Sequence, residues 1–137
     1  MVRLVGMLVL IAALAFVGFV ILWGPEGCTL EGAKLARVES DDAAIANAIR
    51  TYAINAGRPP STEQGLRALM EEPTAGPKPV RWSQVMKRVP NDPWGNPYSY
   101  RVLSEEDGVL CYELSSAGRD GISQTEDDWA KAIDWQR

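Results

Sequence analysis

An α+β fold, one long N-terminal helix packed on a small antiparallel sheet, is predicted by three features of this 137-residue chain. A helical stripe of apolar residues runs through positions 29–56 and stops at a Gly followed by two prolines. Two β-rich segments, 98–103 and 109–114, are joined by Ser104-Glu105-Glu106-Asp107-Gly108, a hairpin-like connector. Beyond Gly24-Pro25 about 110 residues remain, enough for one modest core.

The chain begins with an apolar run. Residues 4–23 contain no charge, amide or proline, and a helix of that length is about 30 Å long, one hydrocarbon core thick. A buried core helix that is apolar all round needs a far larger domain to cover it. A cleaved signal peptide is disfavoured because the small residues Ala12-Ala13-Leu14-Ala15 are followed by more hydrocarbon rather than a polar mature sequence. Residues 1–28 are therefore expected to form a transmembrane anchor and residues 29–137 a globular domain that includes the soluble half of the long helix. Arg3 precedes the span, while Glu26, Glu31, Glu39, Asp41 and Asp42 outnumber Lys34 and Arg37 after it. The positive-inside rule then places the N-terminus in the cytoplasm and the domain outside, in a bacterium the periplasm. In that compartment Cys28 and Cys111 are free to pair, and a buried free thiol at Cys111 is an equal expectation.

Leu35, Val38, Ile45, Ile49 and Tyr52 mark the buried stripe of the long helix, with Asp42 falling on it. Gly57 supplies the stop and Pro59-Pro60 forbid continuation. Ser61-Thr62-Glu63-Gln64 reads as a capping box, opening a short helix over 62–70 that ends before Pro73. One or two helical turns are expected over 82–88. The run 90–97, Pro-Asn-Asp-Pro-Trp-Gly-Asn-Pro, is dense in turn formers. Residues 115–128 form a polar loop, and residues 129–135 return hydrophobic mass to the core. Trp94, Tyr98, Tyr100, Tyr112, Trp129 and Trp135 are better read as core of a small sheet than as a carbohydrate or peptide surface.

The chain has no His, which removes Ser-His-Asp and Cys-His catalysis and the usual physiological general base. No phosphate loop, dinucleotide fingerprint or CxxC is present, and Ser83 with Lys87 is a bare four-residue spacing. No enzymatic role is expected. The net charge of −4 also argues against a nucleic-acid footprint, which needs clustered Lys and Arg.

Chemistry concentrates in residues 116–128, where Asp120, Glu126, Asp127 and Asp128 lie among turn-forming glycines. A hard cation such as calcium is bound by carboxylate and carbonyl oxygens, and a loop folding back on itself can bring Asp120 beside Asp127 and Asp128. The spacing is not that of an EF-hand. On composition alone a solvated acidic turn is the stronger reading, and a glycosidase carboxylate pair the weakest.

Long blocks of the chain resemble the major pseudopilin family of bacterial type II secretion systems. The resemblance runs over residues 32–135. It is carried by Tyr52-Ala53-Ile54-Asn55-Ala56-Gly57-Arg58-Pro59-Pro60-Ser61-Thr62-Glu63-Gln64-Gly65-Leu66-Arg67-Ala68-Leu69, by Asn91-Asp92-Pro93-Trp94-Gly95-Asn96-Pro97-Tyr98-Ser99-Tyr100, and by Ser116-Ala117-Gly118-Arg119-Asp120-Gly121 with Asp127-Asp128. It implies a structural subunit of a periplasmic pseudopilus, with helices packed at its centre and globular domains outside, that drives protein export. The expected partners are further copies, other pseudopilins and inner-membrane secretion components. The resemblance also implies one structural Ca2+, held by Asp120, Asp127, Asp128 and the carbonyl of Ala117. It departs at the N-terminus: counting back from Pro25, Arg3 stands at the family's cleavage position and Leu8 at that of its Glu. A buried carboxylate in lipid is kept only for a partner. The departure favours a second reading, a membrane-anchored periplasmic adaptor that uses the same calcium-stabilised domain without polymerising.

Overall fold

The computed structural model describes residues 30–106 and 109–136. Helix α1, Leu30–Ala56, buries Val38, Asp42, Ile45, Ala48, Ile49, Tyr52, Ala53 and Ala56, the three- and four-residue recurrence expected of one helical face. Leu35 departs from the expected stripe and is 50% exposed. Gly57 ends α1 at φ +87°, its N–H bonding the Ala53 carbonyl at 2.8 Å, and only a residue without Cβ takes that conformation freely. From Lys34 onward the described residues form one compact unit. The apolar run 4–23 and Cys28 lie outside the described residues; among those described, no helix is long and apolar enough to cross a membrane.

After Pro59 and Pro60 the capping box forms as expected. The Gln64 N–H donates to Ser61 Oγ at 3.3 Å, and the Ser61 N–H donates to Gln64 Oε1 at 3.0 Å. No α-helix follows, in contrast to the expectation for 62–70. Gly65 at φ +56° interrupts the helical backbone, and only a 3-10 helix, Leu66–Leu69, is made. The buried Gln64 amide then donates to the carbonyls of Ala75 and Pro77 at 2.9 and 2.7 Å, pinning the Pro/Gly loop. Residues 82–88 are not helical either. The N–H groups of Val85 and Met86 both bond the Leu69 carbonyl, and Trp82 Nε1 bonds that of Ala68. These groups satisfy a neighbouring helix end instead of a helix of their own.

Three antiparallel strands complete the domain in the order β1-β2-β3: β1 is Ser99–Glu106, β2 is Val109–Ser116 and β3 is Trp129–Gln136. Both predicted strands are present, β1 extending past the expected Leu103. A register shift between Val102 and Ser104 marks a bulge. β2, between its two neighbours, alternates in burial and sends Leu110, Tyr112, Leu114 and Ser116 inward. β3 is a full strand where only a hydrophobic return was expected. The six aromatics behave as core: Tyr98, Tyr100 and Tyr112 are buried, and Trp94, Trp129 and Trp135 pack against the cluster. Tyr100 donates its hydroxyl to the Pro60 carbonyl at 2.7 Å and lies 5.4 Å from the Tyr112 ring centre. Asp42, 1% exposed on α1, accepts from Lys131 Nζ on β3 at 2.9 Å, tying helix to sheet.

Candidate metal centre

The turn 90–97 is built around Asp92, which is 3% exposed. Its Oδ1 accepts the N–H groups of Trp94 and Asn96 at 3.0 and 2.7 Å, and its Oδ2 accepts the Ser116 hydroxyl at 2.6 Å. Asp92 and Asn96 also bond through their backbones at 2.9 Å. An Asp in this role replaces water with backbone and hydroxyl donors on both oxygens, as a buried carboxylate requires.

The loop between β2 and β3 hangs from this turn. Ser116 Oγ accepts the Gly118 N–H at 3.2 Å, and Asn96 Nδ2 donates to the Gly118 carbonyl at 2.8 Å. The Ala117 carbonyl accepts the Gly121 N–H at 3.1 Å. Gly118 sits at φ +59°, where a Cβ would come within 2.3 Å of the Asp127 carbonyl oxygen. That close approach brings the two ends of the loop together.

The expected acids meet as a result. Asp120, Asp127 and Asp128 each place a carboxylate oxygen within 4.8 Å of the others. Asp127 Oδ2 accepts the N–H groups of Arg119 and Asp120 at 2.7 and 3.1 Å. Asp120 Oδ1 accepts from Ile122 N–H at 2.8 Å and Asp128 Oδ2 from Gln124 N–H at 2.5 Å, with Gln124 held at φ 74°. The Thr125 hydroxyl lies 2.8 Å from Asp127 Oδ1, 3.1 Å from the Ile122 carbonyl, 3.3 Å from Asp128 Oδ1 and 3.4 Å from Asp120 Oδ1. With a single proton to donate, the hydroxyl cannot satisfy all four oxygens, and Asp127 Oδ1 is the nearest of them. The Thr125 hydroxyl and the Asp120 N–H, with a smaller share from the Arg119 N–H, hold the Asp127 carboxyl below its ordinary value against a modest burial effect. A convergent set of hard oxygens, three of them anionic, fits calcium chemistry better than that of a soft metal.

Residues 28–135 match the family model for type II secretion system protein G. The chain belongs to the type II secretion system protein G family. It is 38% identical over 98 residues to the type II secretion system core protein G of Pseudomonas aeruginosa, covering 70% of this chain and 69% of that protein. The corresponding figures for Aeromonas hydrophila are 43% over 101 residues, 72% and 68%. The crystal structure of the major pseudopilin from the type 2 secretion system of enterohaemorrhagic Escherichia coli is similar, with a TM-score of 0.65 and 36% identity. That likeness covers 73% of this chain and 87% of the other. The fold of this protein G family member is that of a pseudopilin.

Other sequence candidates fare differently. Ser83 and Lys87 share no helix, and Ser83 Oγ accepts from Asn55 Nδ2 at 3.0 Å. Cys111 is a free, half-buried thiol on β2. Asp92, Asn96 and Thr125 escaped sequence reasoning as parts of the loop architecture. Their traces in the sequence were the turn formers at 90–97, the resemblance block at 91–100 and the polar loop around residue 125.

Proposed function

We propose that this chain is a structural subunit of the type II secretion pseudopilus, assembling through α1 with further copies and other pseudopilins. Its membership of the protein G family over residues 28–135 carries the reading, and the pseudopilin fold supports it. In this reading residues 4–23 anchor the chain in the bacterial inner membrane, with the N-terminus cytoplasmic and the domain periplasmic. Its work is mechanical rather than catalytic. The relatives are core secretion proteins and a major pseudopilin, which favours this role over the non-polymerising adaptor.

Asp120, Asp127 and Asp128 would hold a calcium ion, with the Ala117 carbonyl as backbone ligand. The ion supplies positive charge that offsets the mutual repulsion of the carboxylates and cross-links the two ends of the loop. Asp127, already oriented by the Arg119 and Asp120 N–H groups, needs little rearrangement to bind.

Affinity-tagged full chain, extracted in mild detergent from a bacterium with an active type II system, tests the assembly reading. Co-purification of other pseudopilins and inner-membrane secretion components is expected. Recovery of a lone monomer under every extraction condition overturns it.

A further inference from the structure

We infer that Asn96 is a positioning residue for the acidic loop, setting its affinity for a divalent cation without touching the ion. The inference rests on the calcium reading above and concerns a residue outside the acidic cluster. Both backbone polar groups of Gly118 are held from the 90–97 turn. Its carbonyl accepts from Asn96 Nδ2 at 2.8 Å. Its N–H donates to Ser116 Oγ, whose own proton goes to Asp92 Oδ2. Asp92 also fixes Asn96, by accepting its N–H at 2.7 Å.

The two arms therefore start from one buried carboxylate and end on one glycine. That glycine is the point where the strand-exit side of the loop packs against Asp127. Just beyond it, the Arg119 and Asp120 N–H groups grip Asp127 Oδ2. Asn96 Oδ1 also lies so near Gly121 that a Cβ there would meet it at 3.1 Å. One side chain thus holds the loop at Gly118 and lies close to it at Gly121, on either side of Asp120. Releasing Gly118 frees Asp120 to move relative to Asp127 and Asp128, and a multidentate oxygen site loses affinity when its ligands must be gathered on binding.

The test is calorimetric calcium titration of the full chain in detergent micelles, wild type against Asn96→Ala, with amide hydrogen exchange and a urea midpoint in chelator. We expect Asn96→Ala to bind calcium at least about tenfold more weakly, the range for partners that orient metal ligands. The amides of 118–121 should exchange faster in chelator. A lowered urea midpoint with unchanged calcium affinity means a merely structural role and overturns the inference. Should Asn96→Ala not fold, Asn96→Ser, which keeps the backbone N–H on Asp92 and a polar side chain too short to reach the Gly118 carbonyl, carries the same expectations. If wild type binds no calcium, the calcium reading fails. An inference about cation affinity then falls with it, whereas calcium binding by wild type with unchanged affinity in Asn96→Ala overturns the inference alone.

Discussion

Asp92 Oδ2 and Ser116 Oγ lie 2.6 Å apart, both residues almost fully buried, and this contact joins the turn before β1 to the end of β2. The same Ser116 oxygen receives the Gly118 N–H, so the first residues of the acidic loop inherit their position from a turn 24 residues earlier. The buried Asp92–Ser116 pair is a scaffold for the acidic loop.

Replacing Asp92 should therefore be expensive. Asp92→Ala leaves the Ser116 hydroxyl and the N–H groups of Trp94 and Asn96 without their acceptor, a loss of about 3 kcal/mol. Asp92→Asn should cost less, because its carbonyl still accepts the two N–H groups and its amide donates to Ser116 Oγ. Urea unfolding of the full chain in detergent measures both.

Glycines with the same backbone sign should separate by their surroundings. Gly118 and Gly95 both have positive φ, but a Cβ at Gly118 would strike the Asp127 backbone whereas one at Gly95 meets nothing within 4 Å. Gly95→Ala is expected to cost about 1 kcal/mol of backbone strain. Gly118→Ala should cost clearly more and abolish the Asp127 arrangement, seen as lost protection of the Arg119 and Asp120 amides in hydrogen exchange.

The helix–sheet pair should respond asymmetrically. Asp42 is buried with one oxygen on Lys131 Nζ and its Oδ1 without a partner. Lys131→Met strands a buried carboxylate and should destabilise by about 3 kcal/mol, whereas Asp42→Leu, which removes the charge and leaves a solvent-reachable lysine, should be nearly neutral. Equal losses in denaturant unfolding would contradict this picture.

All four tyrosines resist ionisation. Burial pushes Tyr112 up to about 12. Burial also raises Tyr52 and Tyr100, and burial followed by the nearby Asp41 raises Tyr98. Each folded value exceeds the unfolded value near 10, so the neutral tyrosines contribute full stability below pH 10 and lose it as pH rises toward the folded values. Spectrophotometric titration should show little tyrosinate at pH 10–11, then its abrupt appearance with unfolding. Smooth ionisation centred on pH 10 would refute the buried placement.

Much of this was legible locally. The three- and four-residue recurrence of Val38, Ile45, Ile49 and Tyr52, the Gly57 stop and the Ser61–Gln64 box are near-neighbour physics, and they appear where expected. β3 was not legible because Ala130, Lys131 and Ala132 are weak strand formers, recruited by pairing with Glu113, Leu114 and Ser115 of β2. The helix expected at 62–70 failed at Gly65, whose positive φ cannot be read from composition. The acids of the loop were visible, yet their convergence depends on Gly118 passing Asp127 and on Asn96 reaching across 22 residues. A buried Asp92 looks, in sequence, like any other turn former.

The proposed role joins a pseudopilus subunit to an acidic loop that calcium would stabilise. Leu35 is half exposed on the outer face of α1, so a photo-cross-linking residue placed there in the full chain reports helix-to-helix packing in cells with an active type II system. A ladder of cross-linked copies is expected in calcium, shrinking sharply with chelator or with Asp127→Ala. A monomer band alone, in calcium as in chelator, would contradict it.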